Sequence, residues 1–88
     1  MRSLSILMDV TARVIEAIKN VSRRPVEPTP ASDLIADLGF DSLQVLELVN
    51  ELEDSFDITI PPAAAPTVRT VADVIAQVGA LVEARTGA

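Results

Sequence analysis

All six prolines of this 88-residue chain fall in two short windows, residues 25–30 and 61–66. Each proline fixes φ, lacks an N–H and biases its predecessor away from helix. The windows therefore act as punctuation and cut the chain into segments 1–24, 31–60 and 67–88, from which any fold must be assembled.

In the first segment Leu4, Leu7, Met8, Val14, Ile15, Ile18 and Val21 recur at steps of three and four, the spacing of one helical face. Ser3 is placed as its N-cap. In the third segment Val71, Val74, Ile75, Val78, Leu81 and Val82 repeat that template, with Thr70 and Asp73 as a capping-box-like pair. Gly79 inside this helix costs roughly 1 kcal/mol relative to Ala, so its presence predicts a close helix contact. The middle segment opens with a turn or two of helix over residues 32–38, stopped by Gly39, which can take positive φ. A long helix over residues 42–56 follows, with Asp41 as N-cap. The window 61–66 leaves space for one short turn, started by Pro62 at a first helical position. No period-2 strand of useful length occurs, although residues 57–60 suit an extended chain. The expected fold is all-α: a small bundle of three longer helices plus one short helix or turn, with a long connection between helices 1 and 2. Residues 1–88 suit a single domain with a limited core and little room for a deep substrate pocket.

Composition then narrows the chemistry. The chain has no Cys and no His, so it can form no Ser-His-Asp or Cys-His triad, no zinc site of the usual N/S type and no disulfide framework. Its one lysine, Lys19, is a poor basis for Schiff-base chemistry. Binding or carrying is expected rather than catalysis. A net charge of −6 and a pI near 4.3 argue against nucleic acid and against an anionic membrane surface. The mean hydropathy is +0.37, yet no run of 18 apolar residues exists to span a bilayer. Arg2 and the apolar run after it imitate a signal peptide, but Asp9 ends the run too early. A soluble cytoplasmic protein is expected.

The charge is unevenly placed. Residues 1–24 carry five basic and two acidic side chains, residues 25–68 carry nine acidic and no basic ones, and residues 69–88 carry two of each. On a helical wheel at about 100° per residue, Val45, Leu48, Val49, Leu52 and Phe56 form the core face of the central helix. Glu47, Asn50, Glu51 and Asp54 lie opposite, together with Leu43, while Leu46 sits at the boundary. A solvated face accounts for acids alone, and isolated exposed leucines are ordinary. A leucine among acids, beside a serine at a helix start, makes a binding surface. Burying Leu43 against a partner is worth roughly 1.5–3 kcal/mol, against about 0.2–1 kcal/mol for one exposed ion pair. The leucine would hold such a complex, and the acids would steer a basic partner onto it.

The sequence Leu38-Gly39-Phe40-Asp41-Ser42-Leu43 at the entrance of this helix resembles the attachment motif of acyl carrier proteins. The likeness continues through residues 44–56, Ile58, Ile60-Pro61 and Thr70-Val71-Ala72-Asp73-Val74, and segment 1–24 fits the family's first helix, so it covers essentially the whole chain. The resemblance implies that Ser42 bears a covalent 4'-phosphopantetheine arm, transferred from coenzyme A by a phosphopantetheinyl transferase with Mg²⁺. An acyl group then rides as a thioester on the arm's thiol, so that a chain without cysteine imports one. A serine in the first turn of a helix sets the phosphodiester against unpaired N–H groups and the positive dipole end, a term of only about 0.3–1 kcal/mol. By the same resemblance Asp41, Leu43, Glu47, Asn50, Glu51, Glu53 and Asp54 lie on the helix that partners read. Those partners would be an acyl-loading synthetase or transferase and downstream acyl-processing enzymes with basic docking surfaces. Members of the family also hold acyl chains among their helices, here the sector of Val49, Leu52, Phe56 and Ala63-Ala64-Ala65. The protein itself would be no enzyme, a monomer, with no metal site, no nucleic-acid partner and no membrane insertion.

Three departures from the common fatty-acid type stand out: no acid in residues 61–66, Asn50 where an apolar residue is usual, and Phe40 where a small one is usual. A dedicated carrier for a specialised acyl, aryl or aminoacyl pathway therefore fits at least as well. The nearest alternative is an aminoacyl or peptidyl carrier. The alternative of a different class is a non-carrier acidic helical adaptor that docks basic partners through the Leu43 face. A calcium loop from Asp33, Asp37 and Asp41 is excluded, because their spacing is not the alternate-residue ligand pattern.

Overall fold

The computed structural model describes the backbone of residues 2–86 and the side chains of residues 9–64 and 66–85. Three helices carry the chain: α1 (Arg2–Val21), α2 (Ser42–Phe56) and α3 (Val71–Thr86), with a 3-10 turn at Ala65–Thr67 between the last two. No strand occurs among the described residues; an isolated bridge joins Asp33 and Thr70. The all-α expectation and the long connection after the first helix both hold.

The apolar stripe of each helix faces one core. Val10, Val14, Ala17 and Ile18 of α1 meet Leu48, Leu52 and Phe56 of α2 and Val71, Val74, Ile75 and Val78 of α3. α1 packs on both other helices, and α2 also meets the 3-10 turn. The side chains of Leu4, Leu7 and Met8, assigned to the first stripe, lie outside the described residues. α1 begins at Arg2, so Ser3 is helical and is not the N-cap. The expected short helix over 32–38 is a single turn. Its shape comes from Asp33, whose carboxylate accepts the N–H groups of Ile35 (2.9 Å) and Ala36 (2.8 Å), and from Gly39, which ends it at φ +73°.

The connection between α1 and α2 is bonded onto the start of α3. The N–H groups of Val71 and Ala72, orphan donors of a first turn, reach the carbonyls of Ser32 (3.0 Å) and Pro30 (2.9 Å), while the N–H of Leu34 reaches Arg69 (2.9 Å). Leu34, Leu38 and Phe40 are thereby buried beneath it. The Thr70–Asp73 capping pair forms: Asp73 N–H donates to Thr70 Oγ1 (3.2 Å), and Asp73 Oδ2 accepts from the N–H groups of Thr70 and Arg69 (3.0 Å each). These bonds hold the Asp73 carboxyl below the usual carboxylate range, the Thr70 N–H contributing most. Asp33 is lowered likewise, first by the Ala36 N–H and then by Arg69, whose Nε lies 3.0 Å from Asp33 Oδ2.

One expectation fails on packing. A Cβ built on Gly79 meets nothing within 4 Å, so this glycine marks no close helix contact. The short turn started by Pro62 is present: residues 62–64 form a turn closed by the Ala64 N–H on the Pro61 carbonyl (2.9 Å), and a 3-10 turn follows it at Ala65–Thr67.

Candidate functional site

Asp41 is extended (φ −102°, ψ −179°) and turns the chain into α2. Its Oδ1 accepts the N–H of Gln44 at 2.8 Å, and Gln44 Oε1 returns a bond to the Asp41 N–H at 3.3 Å, a complete capping box. The polar side chain of Gln44 is buried, 5% exposed. Sequence inspection assigned it no role, although its position three residues after Asp41 is the signal for one. The box fixes the first turn and leaves Ser42 exposed at its first residue. The Ser42 hydroxyl, like the N–H groups of Ser42 and Leu43, has no partner among the described residues. An exposed nucleophilic oxygen beside unpaired donors fits a phosphodiester.

Behind Ser42, α2 presents an outward stripe. Leu43 and Leu46 are each 56% exposed. Leu46, placed by the wheel at the boundary, thus belongs to the outside. Glu47, Asn50 and Asp54 are exposed and Glu51 is half-buried. None of Glu47, Glu51 and Asp54 has a cationic partner among the described residues. Their field is therefore uncompensated, which is what steering of a cationic surface requires. Glu53 is used differently: its Oε2 accepts the N–H of Ile60 at 2.8 Å and its carbonyl accepts that of Ile58 at 3.2 Å. It is a brace for residues 57–60 within this chain, not part of the outward stripe. Through it Ile58 and Ile60 are buried while Asp57 and Thr59 face out, an alternation reached without any strand pairing.

The C-terminal end of α2 is closed by arginines from both neighbouring helices. Arg13 of α1 donates to the Ser55 carbonyl and to Ser55 Oγ (3.1 Å), with its guanidinium 4.1 Å above the Phe56 ring. Arg85 of α3 donates to the carbonyls of Phe56 (3.0 Å) and Asp57 (2.7 Å). Asp57 itself is the left-handed C-cap, at φ 54°. These cations satisfy orphan carbonyls and oppose the negative dipole end.

At the opposite end two further arginines lie against residues that precede the serine. Arg23 Nη1 lies 3.7 Å from Asp41 Oδ2. The Arg24 guanidinium covers Gly39, where an added Cβ would stand 2.9 Å from its Nη2. Counting charges by segment assigned both to a basic block apart from the site, and only the fold brings them to it.

Between α2 and α3 lies an apolar cavity of about 20 Å³, lined by Leu34, Val45, Val49, Leu52, Ile60 and Val78 among others. That is space for about one water, so an acyl chain requires the helices to part. Val49 and Leu52 of the anticipated acyl sector line it. Phe56, Ala63 and Ala64 do not, and the side chain of Ala65 lies outside the described residues. Asp33, Asp37 and Asp41 are each occupied by backbone N–H groups, and no group of metal-ligating side chains occurs among the described residues. No helix there is long and apolar enough to cross a membrane.

Residues 12–78 match the family described as "Phosphopantetheine attachment site". The chain is 41% identical over 73 residues to an acyl carrier protein of Syntrophobacter fumaroxidans, covering 76% of this chain and 88% of that one. It is 46% identical over 74 residues to one from an Exiguobacterium species, covering 83% and 89%. A solved structure described as an acyl carrier protein from Mycobacterium tuberculosis superimposes with a TM-score of 0.77 at 37% identity, over 81% of this chain and 96% of that one.

Proposed function

The chain belongs to the acyl carrier protein family, and from that premise we propose that Ser42 is the attachment point of its phosphopantetheine arm and that the Leu43–Asp54 stripe is what partner enzymes read. Its function is that of a carrier, presenting acyl groups to other proteins, and phosphopantetheine is its cofactor. When attached, the arm supplies the thiol that the chain lacks and on which acyl groups ride. The aminoacyl-carrier and adaptor alternatives are not favoured by relatives that are acyl carrier proteins.

The observation that carries the assignment of Ser42 is its placement: an exposed hydroxyl without a partner, on the first residue of a helix whose cap is completed by its neighbour. Asp41 and Gln44 hold that turn in one geometry, so the oxygen is presented to an incoming transferase without reorganisation of the backbone. The unpaired N–H groups of Ser42 and Leu43 suit the phosphodiester that forms. Leu43 and Leu46 offer apolar area, and Glu47, Asn50, Glu51 and Asp54 surround it with acids and an amide. Acyl carrier proteins work with a phosphopantetheinyl transferase and acyl-processing enzymes. In this reading those that serve the present chain have basic docking surfaces with an apolar centre. The family consists of carriers rather than catalysts, and we read this member as having no catalytic activity of its own, as a monomeric single domain over residues 1–88, and as cytoplasmic. The common core of the three helices supports the single domain.

Incubation with coenzyme A, Mg²⁺ and a broad-specificity transferase is expected to add one phosphopantetheine mass to the protein and none to Ser42→Ala. An unmodified mass under conditions that convert a known carrier, or modification persisting in Ser42→Ala, overturns the assignment. Leu43→Asp is expected to impair loading by partner enzymes while leaving the fold intact by circular dichroism.

A further inference from the structure

The arm's phosphodiester would be joined to the residue next to Asp41, so attachment places a second anion beside an existing carboxylate. Like charges this close repel, and the remaining charged side chains along α2 are acids without cationic partners. The cations that reach this end come from the segment after α1. Arg23 pairs with Asp41 across 3.7 Å, with both side chains more than half exposed, a long contact that holds the guanidinium loosely. Arg24 forms no ion pair among the described residues and rests on Gly39, whose missing side chain gives it room. The backbone beneath them is fixed: Ser22 Oγ donates to the Arg24 carbonyl (2.6 Å) and accepts from the Arg24 N–H (3.4 Å), and Pro25 follows with its locked φ. Two guanidiniums are thus anchored at their base and held only loosely at their tips, one already on the neighbour of Ser42.

We propose that Arg23 and Arg24 bracket the phosphodiester on Ser42. A guanidinium presents a planar fork of N–H donors that matches phosphate oxygens better than it matches a single carboxylate oxygen across 3.7 Å. On attachment Arg23 is shared between Asp41 and the phosphate, and Arg24 leaves Gly39 to reach it. The base of the arm is thereby drawn toward the end of α1, away from the acids of α2, and the Leu43 stripe stays clear for partners. The inference rests on Ser42 being the attachment point.

The test uses holo protein made from wild type, R23Q/R24Q and R23K/R24K, each verified by mass. If the chain does not take the arm on Ser42, the attachment reading fails; if it does, the bracket is tested separately. The ³¹P resonance of the wild-type phosphodiester is expected to be displaced from its position in R23Q/R24Q and to move toward that position as salt is added. The Lys pair is expected to restore part of the displacement. The Arg23 and Arg24 Nε–H resonances are expected to shift when apo wild type is converted to holo. A ³¹P position and salt response shared by wild type and R23Q/R24Q, with unmoved Nε–H resonances, overturns the bracket. Circular dichroism and urea midpoints of the apo forms show whether the double variant is folded, so an unchanged phosphorus signal cannot be traced to a damaged fold.

Discussion

Replacing Asp41 by Asn and by Ala separates its bond to the helix from its charge. Oδ1 accepts the part-buried Gln44 N–H at 2.8 Å, while Oδ2 faces Arg23 at 3.7 Å across an exposed gap. Asn keeps a cap oxygen and loses the charge: the ion pair, worth about 0–1 kcal/mol for exposed partners and at the low end for so long a contact, and a helix-dipole term of about 0.3–1 kcal/mol. Ala loses both. A cap removed to Ala costs about 0.5–2 kcal/mol, and here the orphaned donor belongs to Gln44, whose side chain is itself buried and whose Oε1 answers the Asp41 N–H at 3.3 Å. The expected order is wild type, then Asp41→Asn within about 1 kcal/mol, then Asp41→Ala lower than Asn by about 0.5–2 kcal/mol for the lost cap. For a chain of 88 residues each kcal/mol moves the melting temperature by about 4–8 °C. Urea denaturation followed by circular dichroism reads the same order from the midpoints, at unchanged slope. Salt at about 0.5 M is expected to shrink the difference between wild type and Asn and to leave that between Asn and Ala, since the charge terms are screened and the cap bond is not. If Asn and Ala are equally destabilised, the charge and not the cap secures the first turn. If Ala matches wild type, the capping box contributes nothing and the argument for a pre-set Ser42 falls with it.

Gly79→Ala is expected to stabilise the protein by about 0.8–1 kcal/mol, because the site is helical and a Cβ there meets nothing within 4 Å; a lowered melting temperature would reveal a contact the geometry does not contain. The acid limb of stability is expected to depend on Asp33 and Asp73, whose folded values lie below the ordinary 3.8. A carboxyl lowered by folding contributes in full above its unfolded value and loses that contribution as pH falls through the folded one. Urea midpoints of wild type should therefore drop below about pH 4 more steeply than those of Asp33→Asn or Asp73→Asn, and parallel curves for all three would contradict the assignment.

Much of this architecture was legible one segment at a time. The proline windows, the three- and four-residue spacing and the cap signals at Asp41 and Thr70 are local features, set by sterics and hydrogen bonds within a few residues, and the structure repeats them. The placement of Ser42 at the head of α2 was legible for the same reason. What was not legible depends on approach across the chain. Glu53 lies between the faces on a wheel, and only the path of residues 57–60 decides that its carboxylate turns inward to Ile60. Gln44 reads as a polar surface residue until the capping box draws it into the core. Arg23 and Arg24 stand far from Ser42 in sequence, and the bonding of the connection onto α3 sets where α1 ends relative to α2. Gly79 carries a helix-propensity cost without a compensating contact, and a cost of that kind does not reveal from sequence whether a neighbour offsets it.

The arginines that close the far end of α2 have a mechanical consequence. Arg13 and Arg85 fasten residues 55–57 to α1 and α3 at once through side chains, whereas the Ser42 end is held by the Phe40 N–H on the Leu34 carbonyl (2.9 Å) and by the buried Phe40 and Gln44, with one long exposed ion pair outside them. The serine end is thus secured from within, by backbone and core, so its outward side chains, Ser42 and Leu43, carry no structural duty.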